Sequence, residues 1–250
     1  MLKDYIRFVA ANRQCYEGCT TANQLLVIYA NSAVMANPEG HFKYLALAQA
    51  LAEAGYQYDV IYSGDDIFTP SQLDPDLLNK YRAVLVAEAA GLTPDQREAL
   101  SAYAQRGGRV IAYSPHQIGG GSGVTTLADD LLMDFWREYR DDLRAAVVAP
   151  LEEFEAARVG TSDPLVNVVR YRKGDEHICH LVNYDYRQAD DTIAAKHNVE
   201  ISLPWTGAGR PATVRWVSLQ GEESLDCRVD GGRLRFTVPS VDPYGLAVIG

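Results

Sequence analysis

Between Leu25 and Tyr113 short apolar runs alternate with helical patterns, and from Leu165 onward the hydrophobic period drops from 3.6 to 2. That switch constrains the fold more than any other feature. A strand–helix alternation builds a parallel sheet with right-handed crossovers, whereas closely spaced period-2 segments build antiparallel sheets. The first run, Leu25-Leu26-Val27-Ile28-Tyr29-Ala30, is continuously apolar, as a strand covered on both faces must be. Further strands are expected at Tyr58–Tyr62, Ala83–Ala87 and Arg109–Tyr113. Helices are expected at Gly40–Ala54, stopped by Gly55, at Leu73–Leu78, and from the Thr93-Pro94 cap to about Gln105. The expected fold class is therefore α/β, an open flavodoxin-like parallel sheet, followed by an all-β sandwich.

Two further helices are expected outside this alternation. One covers residues 3–17, with Tyr5, Ile6, Phe8 and Val9 at helical spacing; the other covers residues 126–148, with Leu127, Leu131, Leu132, Phe135, Trp136, Tyr139 and Leu143 on one face. Both need a surface to cover their apolar faces. The stretch Pro115–Gly123 reads as a flexible connector. In the β part, Lys173-Gly174-Asp175-Glu176 and Asp230-Gly231-Gly232 are hairpin signals between period-2 runs, and seven short strands point to a sandwich. The expected domains are 1–150, carrying both extra helices, and 151–250.

The 23 basic and 33 acidic residues give a formal charge of −10, which disfavours nucleic acid and anionic membranes as partners. No apolar run reaches the roughly 18–20 residues of a membrane-spanning helix, and the N-terminus lacks a signal-peptide core, so a cytoplasmic chain is expected unless it is a piece of a secreted enzyme. Cys15, Cys19, Cys179 and Cys227 form no metal-type pair, and Cys15 and Cys19 are expected to share a helix face. No metal or cofactor is called for.

Three stretches resemble a known arrangement: Tyr5-Ile6-Arg7-Phe8 with Asn12-Arg13; Leu92-Thr93-Pro94-Asp95-Gln96 with Gly107-Gly108-Arg109-Val110-Ile111; and His180-Leu181-Val182-Asn183-Tyr184 with Pro243-Tyr244-Gly245-Leu246. Together they resemble the region that follows the catalytic barrel in multidomain glycoside hydrolases, in particular β-galactosidases with a trimerisation domain of class-I glutamine-amidotransferase-like fold. The resemblance implies an accessory module that forms homo-oligomers or supports a catalytic barrel on another chain, in a carbohydrate setting. A barrel takes roughly 250 residues, and the chain has no room for one. An amidotransferase would need a Cys or Ser on the turn after its third strand; here that turn reads Ala87-Glu88-Ala89-Ala90-Gly91.

In open α/β sheets ligands bind beyond the carboxyl ends of the strands. The residues expected there are Asn31, Ser63, Asp65, Asp66, Glu88, Ser114 and His116, with His41 opening the first crossover helix. Glu88 with His41 or His116 could serve a small stand-alone hydrolase as base and acid, and the others could bind a ligand. The competing reading makes all of them caps and turn-formers. Trp205, on a loop before Thr206-Gly207, could stack on a sugar ring, or it could be core.

Overall fold

The computed structural model describes the chain apart from residues 1, 22, 66, 68, 115–117, 120–122, 129 and 206–212, and apart from the side chains of residues 2, 36 and 156. It divides into two compact units, residues 23–155 and residues 1–22 together with 156–250. The N-terminal helix α1 (Leu2–Ala11) therefore belongs with the β-rich part, not with the sheet unit as expected from sequence order.

Five strands form the parallel sheet of the first unit: β1 (Leu25–Tyr29), β2 (Tyr58–Tyr62), β3 (Ala83–Val86), β4 (Arg109–Ala112) and β5 (Val124–Thr126), in the order β2-β1-β3-β4-β5. Helices α2 (Asn31–Ala36), α3 (Pro38–Glu53), α4 (Pro75–Leu78) and α5 (Pro94–Gln105) connect them, and α6 (Leu131–Glu138) and α7 (Asp141–Val148) follow. Strand alternation sorts the core into two layers. Leu25 and Val27 pack with Leu47 and Leu51 of α3, Phe135 of α6 and Val147 of α7. Leu26 and Ile28 face the other way, with Leu78 of α4 and Leu100 and Tyr103 of α5. Both faces of β1 are thus covered, which is what its unbroken apolar run required.

The helix expected at residues 126–148 is not one rod. Thr126 ends strand β5, and Tyr139 closes α6 in the left-handed region at φ 50° before Arg140 turns extended to start α7. The break lets Leu132, Phe135, Val147 and Leu151 enter one core. A straight 23-residue helix would be about 35 Å long and would carry its last turns past the sheet. Most of Pro115–Gly123 lies outside the described residues; Ile118 within it is buried.

The second unit holds three antiparallel sheets, one of them only a short two-stranded pair. Strands β6 (Gly160–Thr161), β7 (Val166–Lys173), β8 (Glu176–Asn183), β9 (Tyr186–Arg187), β10 (Thr192–Ile193), β11 (Lys196–Pro204), β12 (Val214–Ser218), β13 (Gly221–Leu225), β14 (Cys227–Asp230), β15 (Arg233–Val241) and β16 (Tyr244–Ile249) build it. The larger sheets run β14-β15-β11-β6 and β13-β12-β16-β8-β7, and β9 with β10 forms the third. Their facing residues share one core: Val168, Leu181, Trp216 and Ile249 from one sheet, Ile201, Leu203, Phe236 and Val238 from the other. Ser224–Val229 reads in sequence as one period-2 strand, but it is divided between the sheets, leaving one as β13 and entering the other as β14. Gly231 and Gly232 have φ of 56° and 73°, the left-handed values that a two-residue hairpin between β14 and β15 demands.

Helix α1 covers the other face of the five-stranded sheet. Phe8 and Cys15 are buried with Ile178, Val217, Leu246 and Val248, and the Tyr5 hydroxyl donates to the Asp242 carbonyl at 3.1 Å. The helix ends at Ala11, and Cys15 sits in a 3₁₀ turn (Arg13–Cys15) with Cys19 beyond Gly18, so the two cysteines do not share a helix face.

Candidate functional site

The order β2-β1-β3 reverses direction at β1, and the crevice outside the carboxyl ends of β1 and β3 is where open α/β sheets place ligands. Glu88 stands there, two residues beyond β3. Its carboxylate is fully engaged. Oε2 is 2.9 Å from Lys43 Nζ, and Oε1 accepts from Ser114 Oγ at 2.8 Å and from the Ala90 N–H at 2.9 Å. The side chains of Lys43 and Glu88 are only 6% and 14% exposed, so this is an interior ion pair. Burial alone pushes the Glu88 carboxyl up, but the Ala90 N–H, Lys43 and Ser114 outweigh it and hold the group below its ordinary value of 4.5. A carboxylate held ionised this way is a poor proton donor at neutral pH.

The loop carrying Glu88 is pinned from other directions. Arg97 donates to the carbonyls of Ala89 at 2.6 Å and Leu92 at 3.2 Å. Gly91 lies so close to α2 that a Cβ there would fall 2.1 Å from the Ala33 nitrogen. Thr93 and Gln96 form a reciprocal capping box at the start of α5, and Pro94 takes its first position.

The other expected site residues are distributed as follows. His41 Nδ1 lies 3.2 Å from the Tyr29 hydroxyl. Asn31 opens α2, and its Oδ1 is buried without a donor among the described residues. Ser63 is buried and its hydroxyl donates to the Gly64 carbonyl. Asp65 Oδ1 accepts from the N–H groups of Ile67 and Thr69 at 3.0 and 2.9 Å, the turn-forming use of an aspartate. Asp66 and His116 lie outside the described residues. Of the set, the structure joins Glu88 to Ser114 directly. Trp205 is partly buried against the core of the β-rich unit, with its ring 5.4 Å from His177.

Two residues that sequence reasoning passed over organise this region. Lys43 occupies an apolar-periodic position of α3 with Leu47, Ala50 and Leu51, and a charge at such a position requires a buried partner. Gln96 is 1% exposed, and its Nε2 donates to the carbonyls of Ser63 at 2.8 Å and Gly64 at 3.2 Å, tying the loop after β2 to α5. Replacing Gln96 with alanine opens the capping box and removes one donor from each of two carbonyls, leaving the Gln72 N–H on Ser63 and the Ser63 hydroxyl on Gly64. We expect a loss of about 1–3 kcal/mol in urea unfolding. A change within a few tenths of a kcal/mol would mean that the remaining donors suffice for these carbonyls.

Among the described residues no cluster of three or more His, Cys, Asp or Glu could hold a metal, and no helix is long and apolar enough to cross a membrane. No protein-family model matches the sequence, and no curated protein matches it either. Solved structures do share the fold. An alpha-L-fucosidase isoenzyme 2 from Paenibacillus thiaminolyticus matches with a TM-score of 0.69 at 12% identity, over 96% of this chain and 50% of that one. A rhamnosidase from Novosphingobium sp. PP1Y matches with a TM-score of 0.54 at 14% identity, over 98% of this chain and 24% of that one. A beta-galactosidase from Bacillus circulans sp. alkalophilus matches at 0.50 and 12% identity, over 94% and 42%. The chain thus spans half or less of the length of each of these glycosidases, and the likeness is one of fold.

Proposed function

We propose that this chain is a non-catalytic accessory module of a glycoside hydrolase. In this reading the sheet unit is a flavodoxin-like, amidotransferase-like fold and the β-rich unit is a closing sandwich, as in the post-barrel region of β-galactosidases with a trimerisation domain. The observation that carries it is Glu88. The one acid at the sheet's switch point that sequence offered as a catalyst is held by Lys43, Ser114 and the Ala90 N–H. The short share of each glycosidase that the chain spans supports the same reading.

A module of this kind works by assembling copies or by seating a barrel borne on another chain. The faces expected to do so are partly used within the chain: Phe8 of α1 and Leu132 and Phe135 of α6 are buried, while Ile6 and Val9 of α1 and Tyr139 stay exposed. What the sheet unit still offers is a run of half-exposed aromatics, Tyr62, Phe42 and Trp136, the last two 5.6 Å apart. Light scattering over a concentration series is expected to give a stable dimer or trimer, with no turnover on a panel of aryl glycosides. A monomer at every concentration would remove the assembly role. Turnover abolished by Glu88→Ala would replace this reading with that of a stand-alone hydrolase.

A further inference from the structure

At the opposite, amino-terminal edge of the parallel sheet, three arginines converge on a surface cleft of about 330 Å³. Arg82 immediately precedes β3, Arg109 begins β4 and Arg106 follows α5. We propose that this cleft binds a small oxyanion, a carboxylate, sulfate or phosphate, carried on a monosaccharide-sized body.

The cleft has a built floor. The Tyr103 hydroxyl donates to the Tyr81 carbonyl at 2.9 Å, and Gly108 packs on the Tyr103 ring so closely that a Cβ would come within 2.2 Å of it. Gly107 turns the chain at φ 96°. Arg82 is oriented by its own contacts, its guanidinium carbon 4.9 Å above the Phe154 ring and one nitrogen 3.2 Å from Gln24 Oε1. Arg109 Nε lies 3.0 Å from Glu153, and its NH2 is 3.4 Å from Thr125 Oγ1. The Arg106 side chain has no hydrogen-bond or ion-pair partner among the described residues.

Charge decides what such a place can hold. Glu153 is the single carboxylate lining it, so positive charge remains in excess there, in a chain whose formal charge is −10. The arginines are not needed to close the end of α5. The carbonyls of Ala102, Tyr103 and Ala104 already accept from the N–H groups of Arg106, Gly107 and Gly108. Guanidinium groups present paired, coplanar N–H donors that match two oxygens of one oxyanion. The volume exceeds that of a bare ion and lies at the low end of small-molecule sites, and Tyr81 supplies ring surface for a ligand body. That the body is a sugar rests on the function proposed above; the oxyanion does not.

Isothermal titration of the whole chain tests this with inorganic phosphate, glucose 6-phosphate, glucose 6-sulfate, glucuronate and glucose, at constant ionic strength. We expect saturable binding of the anionic sugars, none of glucose, and at least a tenfold loss in Arg106→Ala with part retained in Arg106→Lys. Arg106 is exposed, so that variant keeps the fold; Arg109→Gln, checked by circular dichroism, is the second variant. Absence of saturable binding by every anion, or binding unchanged in both variants, overturns the proposal. Inorganic phosphate binding as tightly as glucose 6-phosphate would keep the oxyanion site and count against the sugar setting.

Discussion

Glu88→Ala is expected to cost about 3–5 kcal/mol of stability, because it removes the carboxylate that balances the buried Lys43 ammonium. The same substitution takes the Glu88 acceptor away from the Ser114 hydroxyl and the Ala90 N–H. The pair itself is worth less than this loss, since removing two charges from water nearly offsets their attraction. A double variant, Lys43→Met with Glu88→Leu, is therefore expected to recover most of the loss. Urea midpoints of the three proteins check this; a double variant no more stable than Glu88→Ala would show that the polar contacts, not the lost charge balance, set the cost. The pair also fixes a pH dependence. Because the Glu88 carboxyl is depressed in the folded protein, its contribution is present above its ordinary value of 4.5 and is lost as pH falls through the lower folded value. Glu88→Gln should lower stability at neutral pH and flatten the acid limb of the stability profile.

Trp216→Ala should be nearly as damaging. The indole is 2% exposed on β12 and fills the core between the two larger antiparallel sheets, and a cavity of that size costs about 3–5 kcal/mol. Gly245 of β16 exists to admit the ring: a Cβ there would fall 2.3 Å from it. Gly245→Ala alone should cost about 1–3 kcal/mol by overpacking. In the Trp216→Ala background the same methyl enters empty space, so its cost should vanish or reverse sign. Additive losses in thermal melts would mean that the glycine answers to backbone geometry rather than to the ring.

Much of this was legible in the sequence, for identifiable reasons. The unbroken run at Leu25–Tyr29 announces a strand covered on both faces, and the Thr93-Pro94 pair announces the start of α5. Strand β5 was not legible, because Val124-Thr125-Thr126 is too short and too polar to show a period. The break at Tyr139 was not legible either. No Gly or Pro marks it, and only tertiary demand on Phe135 and Val147 calls for it. At the candidate site, Glu88 stood out as an acid at a strand end. Its partner Lys43 lies 45 positions away on α3, and nothing local to Glu88 names it. The division of Ser224–Val229 between two sheets is equally hidden, since either sheet offers the same period-2 pattern.

The placement of α1 has a consequence for how the chain is made. The Tyr5 hydroxyl and its acceptor at Asp242 are 237 positions apart. Residues 23–155 form a contiguous unit that can close as soon as it leaves the ribosome, whereas the Phe8 side of α1 waits for strands at the far end of the chain. At ordinary elongation rates that wait is on the order of ten to fifty seconds. During it the apolar stripe of α1 is bare, which makes the nascent helix a natural client for chaperones until β16 has been synthesised.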